Sequence, residues 1–215
     1  MYLYITRHGL TKWNEEGRLQ GHADSPLVEQ GIQDALSLKE YIKQYPIERV
    51  YSSPLLRAYQ TATLIFDDQP IIKDERLKEM SFGIYEGLKV KKLLNDPIYY
   101  ALWNTPEKFE RIQNGESYQE VFQRLNDFLE DLKKQPVSHV FITIHGMLYV
   151  VLMAIIKNLE VKDLPKINHH IIRGGSLTIV EMTDHSFNII EEGTSHFLVP
   201  LKQTTVYKSK KVIDD

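Results

Sequence analysis

Cysteine is absent from the 215 residues. That excludes disulfide cross-links and thiolate chemistry and fits a reducing compartment. An excess of basic charge is also missing: 26 Lys and Arg stand against 29 Asp and Glu, a net charge of −3. With no global positive field to draw the chain onto nucleic acid, any anion site has to be a local concentration of donors. Long apolar runs are lacking too. The longest, Met147 to Ile156, is too short to cross a bilayer. The start, Met1-Tyr2-Leu3, has neither the basic region nor the cleavage site of a secretory signal. No internal repeat, low-complexity tract or dividing linker interrupts the chain. The expectation is a cytoplasmic protein with no nucleic-acid or membrane partner. With 42% hydrophobic and 26% charged residues, the length suits one α/β domain carrying a small insertion.

What is present alternates between strand and helix patterns. Residues 2–6 predict a strand. Residues 30–44 predict an amphipathic helix with Ile32, Ala35, Leu36, Leu38 and Ile42 at helical spacing, ended by Pro46. Val50-Tyr51-Ser52 predicts a short strand, after which Ser53 and Pro54 read as the N-cap and first position of a helix. Ile71-Ile72 predicts another strand, and residues 75–95 a loop followed by a short helix. Residues 96–114, with two prolines, Trp103 and several tyrosines, read as an inserted helical subdomain or lid. Its Tyr99, Tyr100, Trp103 and Phe109 are expected to form a satellite core or to line the lid. Ser117 and Glu120 make a capping-box pattern opening a helix to about Lys134. Residues 140–144 are nearly continuously apolar, as in a strand buried on both faces. A helix to Lys157 follows, then two strands at 177–182 and 187–192 around a polar turn. The expected domain runs over residues 1–203, with a mobile polar tail at 204–215.

Two segments share one design. The first strand runs into Arg7-His8-Gly9, and the buried strand runs into His145-Gly146. In an open α/β sheet, ligands bind where the carboxyl ends of strands meet, and each glycine is expected to turn the backbone there. Arg57 falls in the first turn of a helix that follows a strand, so a full charge adds to the partial charge of that helix end. Asn14 could add a neutral donor or simply cap a turn. Together Arg7, Arg57, His8, His145 and Asn14 suit a phosphoryl group, whose oxygens need donors and whose phosphorus an imidazole nitrogen can attack. The missing proton donor is best supplied by Glu79, although Asp74, Glu75 and Glu86 are nearby carboxyls. His22 reads equally as a substrate contact and as a surface residue. His169-His170 resembles a metal pair only superficially, since strand neighbours face opposite ways and no acidic cluster accompanies them. The remaining histidines, His139, His185 and His196, read as structural or solvent-facing.

Six ordered blocks carry a resemblance. They are Thr6-Arg7-His8-Gly9 with Thr11 and Trp13-Asn14; Leu19-Gln20-Gly21 with Asp24-Ser25-Pro26-Leu27 and Gly31; Ser52 to Ala58 with Thr61-Ala62; Leu77-Lys78-Glu79 with Gly83 and Glu86-Gly87; Gly115-Glu116-Ser117; and His145-Gly146. The chain resembles the histidine phosphatase superfamily, in its phosphoglycerate-mutase-like branch, from residue 3 to about 180. The resemblance implies a three-layer α/β sandwich: a mostly parallel sheet, helices on both faces and a small helical insertion over the active site. It implies His8 as nucleophile, Glu79 as acid and base, and Arg7, Arg57 and His145 as phosphoryl-binding catalytic groups. Asn14, Gln20, Gly21 and Gly146 would complete substrate binding. It further implies no metal and no cofactor, a small phosphorylated metabolite as substrate, and specificity set by the inserted segment.

Within that family the chain resembles the phosphatases more than the mutases. Residues 79–87 and 19–27 follow the phosphatase form, Met147 stands where mutases place a substrate-binding asparagine, and the chain is shorter than typical mutases. The alternatives are a cofactor-dependent phosphoglycerate mutase and, in another class, a non-catalytic phosphate-binding protein. Physiological substrate and oligomeric state, a homodimer included, are left open.

Overall fold

The structure is a computed structural model that describes residues 1–168 and 171–200. The pair His169-His170 and the expected tail at 204–215 lie outside the described residues. Six strands form one sheet in the order β3-β2-β4-β1-β5-β6. They are β1 (Tyr2–Arg7), β2 (Arg49–Ser52), β3 (Ile71–Lys73), β4 (His139–Ile144), β5 (Leu177–Met182) and β6 (Phe187–Thr194). The pairs β1·β4, β2·β4 and β2·β3 are parallel, whereas β5 and β6 add antiparallel strands beyond β1. The helices are α1 (Lys12–Glu15), α2 (Glu29–Ile42), α3 (Leu56–Ile65), α4 (Pro97–Asn104), α5 (Tyr118–Lys133) and α6 (Gly146–Ile156).

Side-chain alternation along the strands builds two cores. Leu3 and Ile5 of β1, with Val140, Ile142 and Ile144 of β4, pack with α5 and α6. Tyr4 and Phe141 point the other way and pack with Ala35, Leu38 and Ile42 of α2 and Ile65 of α3. Helix α6 is buried almost throughout, which explains the longest apolar run. At about 16 Å for its 11 residues, it is a core helix. Among the described residues no helix is long and apolar enough to cross a membrane.

Parallel register brings the functional strand ends level. Arg7 pairs with Ile144, and Thr143 pairs with both Thr6 and Ser52. The next residues, His8, Ser53 and His145, therefore leave the sheet side by side. The Ser117–Glu120 capping box forms as expected. Three expectations are corrected. Ser53 is not the N-cap of α3, which begins at Leu56 with Leu55 as cap; the hydroxyl of Ser53 is engaged elsewhere. Residues 75–95 contain three short 3-10 turns and no α-helix. The insertion has no satellite core: Leu102, Phe109 and Ile112 are buried in the same cluster as Tyr118 and Met147, and Tyr99 and Trp103 pack against it.

Candidate active site

His8 is buried at the end of β1, with its Nδ1 2.8 Å from the carbonyl of Gly9. A carbonyl only accepts, so Nδ1 carries the hydrogen and the lone pair lies on Nε2. Nε2 receives the Nε–H of Arg57 at 3.3 Å. The His145 ring sits with its centroid 5.2 Å from that of His8. Burial, then the charges of Arg57 and Arg7, pushes the His8 pKa well below the usual 6.5. The same causes, burial first, lower His145 well below 6.5. Both rings are neutral at physiological pH.

Arg57 is 1% exposed, and the loop before α2 shapes its guanidinium. It donates to the carbonyls of Gly21 (2.8 Å) and Ala23 (2.9 Å) and to the Asp24 carboxylate (3.0 Å). Asp24 also accepts from the backbone N–H groups of Leu56 and Arg57. The α3 terminus that the sequence offered as an anion site is thus occupied by the protein's own carboxylate. Gly21, at φ +56 and with Glu86 crowding the place of any Cβ, makes the turn that aims its carbonyl at Arg57. Arg7 donates through Nη1 to the carbonyl of Ile172 at 3.1 Å, while its buried Nε has no partner among the described residues. His145 Nε2 lies 2.7 Å from the hydroxyl of Ser53, and its buried Nδ1 likewise lacks a partner.

Glu79 comes from the segment after β3 and is 7% exposed. Its carboxyl reaches the start of α6. Oε1 accepts from Met80 N and Leu148 N, each at 2.9 Å, and Oε2 from Met147 N at 3.1 Å. Oε1 therefore has both lone pairs spent, and Oε2 keeps one for a proton. The other carboxyls have different duties. Asp74 is paired with Arg76, Glu75 is exposed beside Lys78, and Glu86 accepts from the N–H groups of His22, Ala23 and Phe82.

The remaining expected residues have partners of their own. Asn14 closes a capping box with Thr11, its Oδ1 accepting from Thr11 N (3.1 Å) and Oγ1 (2.9 Å). Gln20 is buried and accepts from Ser25 Oγ. His22 donates to the backbone carbonyl of Glu79 at 2.9 Å. Gly9 and Gly146 do not take left-handed backbone angles, against the expectation of a glycine turn. Gly9 is required by room: a Cβ there would lie 2.5 Å from the carbonyl oxygen of Gly31. At Gly146, a Cβ would touch the guanidinium of Arg7.

Sequence reading missed four contributors. Asp24 clamps Arg57, and Ser53 holds His145. Arg124 of α5 grips Glu116 (2.9 Å) and the carbonyls of Arg76 (2.6 Å) and Glu79 (3.1 Å), while Glu116 accepts from Ser81 N (2.8 Å). The last two thereby splint the Glu79 segment. The available signals were Asp24 and Glu116 inside the ordered blocks, the adjacent serines after a strand, and an arginine beside the buried α5 stripe of Val121, Leu125 and Phe128.

Residues 3–193 match the model of the Histidine phosphatase superfamily (branch 1). The chain is 37% identical over 149 residues to "Putative phosphoserine phosphatase 2" of Hydrogenobacter thermophilus, covering 67% of this chain and 72% of that protein. It is also 37% identical over 152 residues to "Probable phosphoglycerate mutase GpmB" of Enterobacter sp. (strain 638), covering 68% and 70% respectively. Among solved structures, Bacillus stearothermophilus YhfR superposes with a TM-score of 0.85 at 32% identity, covering 92% of this chain and 99% of that one.

Proposed function

The chain belongs to branch 1 of the histidine phosphatase superfamily, and on that premise we propose a phosphatase that hydrolyses small phosphomonoesters through a phosphohistidine at His8. One observation carries the reading. His8 has its hydrogen committed to Gly9 and its Nε2 lone pair turned to the buried Arg57, with the buried His145 ring and the half-buried Arg7 beside it. A neutral imidazole is the nucleophilic form, and fixed cationic donors stabilise the charge on the phosphoryl oxygens during transfer.

In the first step Nε2 attacks phosphorus, the P–O ester bond breaks, and the departing alkoxide takes the proton of Glu79 from Oε2. In the second, water attacks the phosphohistidine and gives its proton back to Glu79. The N–P bond breaks, phosphate leaves, and His8 returns to neutrality. Arg7, Arg57 and His145 hold the oxygens in both steps, with Asn14, Gln20, Gly21 and Gly146 around them. No step calls for a metal or a redox cofactor. The relatives named above point to phosphoserine and phosphoglycerate as the first substrates to try. The mutase reading is weaker, because Met147 offers no polar group for a second substrate position.

The deciding assay is hydrolysis of an aryl phosphate and of phosphoserine in excess chelator. Wild type turns over without a bisphosphorylated primer, and His8→Ala loses at least ~10³-fold in kcat. Glu79→Gln loses far more on the alkyl ester than on the aryl ester, whose leaving group needs no proton. Equal turnover by wild type and His8→Ala refutes the nucleophile, and primer-dependent isomerisation favours the mutase.

A further inference from the structure

The hydroxyl of Ser53 has one hydrogen and two lone pairs to place. It is fully buried at the end of β2, and its backbone N–H is tied to the carbonyl of Thr143 at 3.0 Å. One lone pair accepts the N–H of Leu55 at 3.3 Å. The other neighbour is His145 Nε2 at 2.7 Å. Among the described residues the hydroxyl hydrogen has no acceptor except that nitrogen. Had Nε2 carried the ring hydrogen, Oγ would accept it on its second lone pair and the serine O–H would be buried unpaired.

We propose that Ser53 is a positioning residue that fixes His145 as the tautomer protonated at Nδ1, making the second histidine a neutral hydrogen-bond donor to the phosphoryl oxygen. The inference rests on the function proposed above. Two further observations support it. Among the described residues Nδ1 is buried without a partner, and so is Arg7 Nε. The Arg7 guanidinium also lies against Gly146, next to His145 in the chain. A tetrahedral oxyanion accepts from both donors. Arg57, Arg7 and Arg124 around the ring are cations with no acceptor to offer, and the single lone pair of neutral His8 already accepts Arg57 Nε–H. Because the ring is neutral, tautomer rather than charge decides whether it attracts or repels an oxyanion. The two imidazoles thus share a tautomer and present opposite atoms. A carbonyl on Nδ1 leaves His8 offering a lone pair, while a hydroxyl on Nε2 leaves His145 offering an N–H.

The test is a long-range proton–nitrogen correlation spectrum of the full chain with 15N-labelled histidine rings at neutral pH, read with and without inorganic phosphate. His145 is expected to be protonated at Nδ1, with that signal moving when phosphate is added. Ser53→Ala is expected to populate the other tautomer and to lower kcat/KM roughly 10- to 100-fold, and Ser53→Thr, which restores a hydroxyl, to recover part of both. Wild-type protonation at Nε2 overturns the proposal, and so does a Nδ1–H signal indifferent to bound phosphate. The tautomer is read in the unaltered protein and without turnover. A misfolded variant therefore leaves the test standing, and an Nδ1–H ring in a protein with no hydrolysis would sink the phosphatase reading alone.

Discussion

Two buried, uncharged imidazoles impose a pH limit on the fold itself. His8 and His145 bind protons only well below pH 6.5 in the folded chain, because of burial and then Arg57, whereas in the unfolded chain they titrate near the ordinary value. Below pH 6.5 the unfolded state binds more protons, so stability is fully present above that pH and is lost as pH falls toward the folded values. Each histidine contributes a slope of up to about 1.4 kcal/mol per pH unit. The urea midpoint is expected to drop between pH 7 and pH 5, and His8→Gln to remove roughly half of the histidine-linked slope. A midpoint flat across that range would contradict the protonation states assigned here. The same depressed pKa keeps Nε2 nucleophilic in mildly acidic solution, so the acid limb of kcat/KM belongs below pH 6.5.

Elements reach their places through backbone contacts that composition does not advertise. Gly31 stands in the first turns of α2, where a Cβ would lie 2.3 Å from the carbonyl oxygen of Leu10. Replacing a helical glycine by alanine ordinarily stabilises by about 1 kcal/mol. Here the clash is with backbone and outweighs that gain. Gly31→Ala is therefore expected to lower the urea midpoint and to cut activity, since α2 packs on the turn that carries His8. A raised midpoint would contradict the close packing. The strands, α5 and its capping box were legible because their signals are local and periodic. The histidines at both strand ends were legible for the same reason, though not the backbone of the glycines that follow, and so was Arg57 at a helix start. The start of α3 was misread because Ser53, a good cap by propensity, is recruited by a histidine 92 residues away. The role of Arg124 was hidden for a similar reason, although its place beside the α5 stripe was readable. Its carbonyl partner at Glu79 is 45 residues distant, and only the assembled fold brings them together. Glu79 could be preferred over its neighbours by position, but its three backbone donors depend on where α6 begins.

For the molecule as a whole, the insertion is part of the main core. Leu102 of α4 is fully buried in the cluster that also holds Tyr118 and Met147, and Tyr118 donates to the carbonyl of Leu102 at 2.7 Å. Leu102→Ala is expected to cost about 2–5 kcal/mol and to do so globally. Tryptophan fluorescence, from Trp13 and Trp103, and circular dichroism should fall together in one transition, before and after the substitution. A separate early fluorescence change would mean that the insertion melts alone. The placement of β1 reaches further still. It lies between β4 and β5; Tyr4 within it contacts His139, 135 residues away, and Met1 just before it contacts Met182, 181 residues away. A ribosome makes this strand long before either neighbour exists, and distant pairings are slow to close. An emerging polypeptide therefore carries His8 at the end of a strand whose partners follow much later in the chain. Until β4 and β5 have been translated, that apolar segment is bare and open to aggregation or chaperone capture.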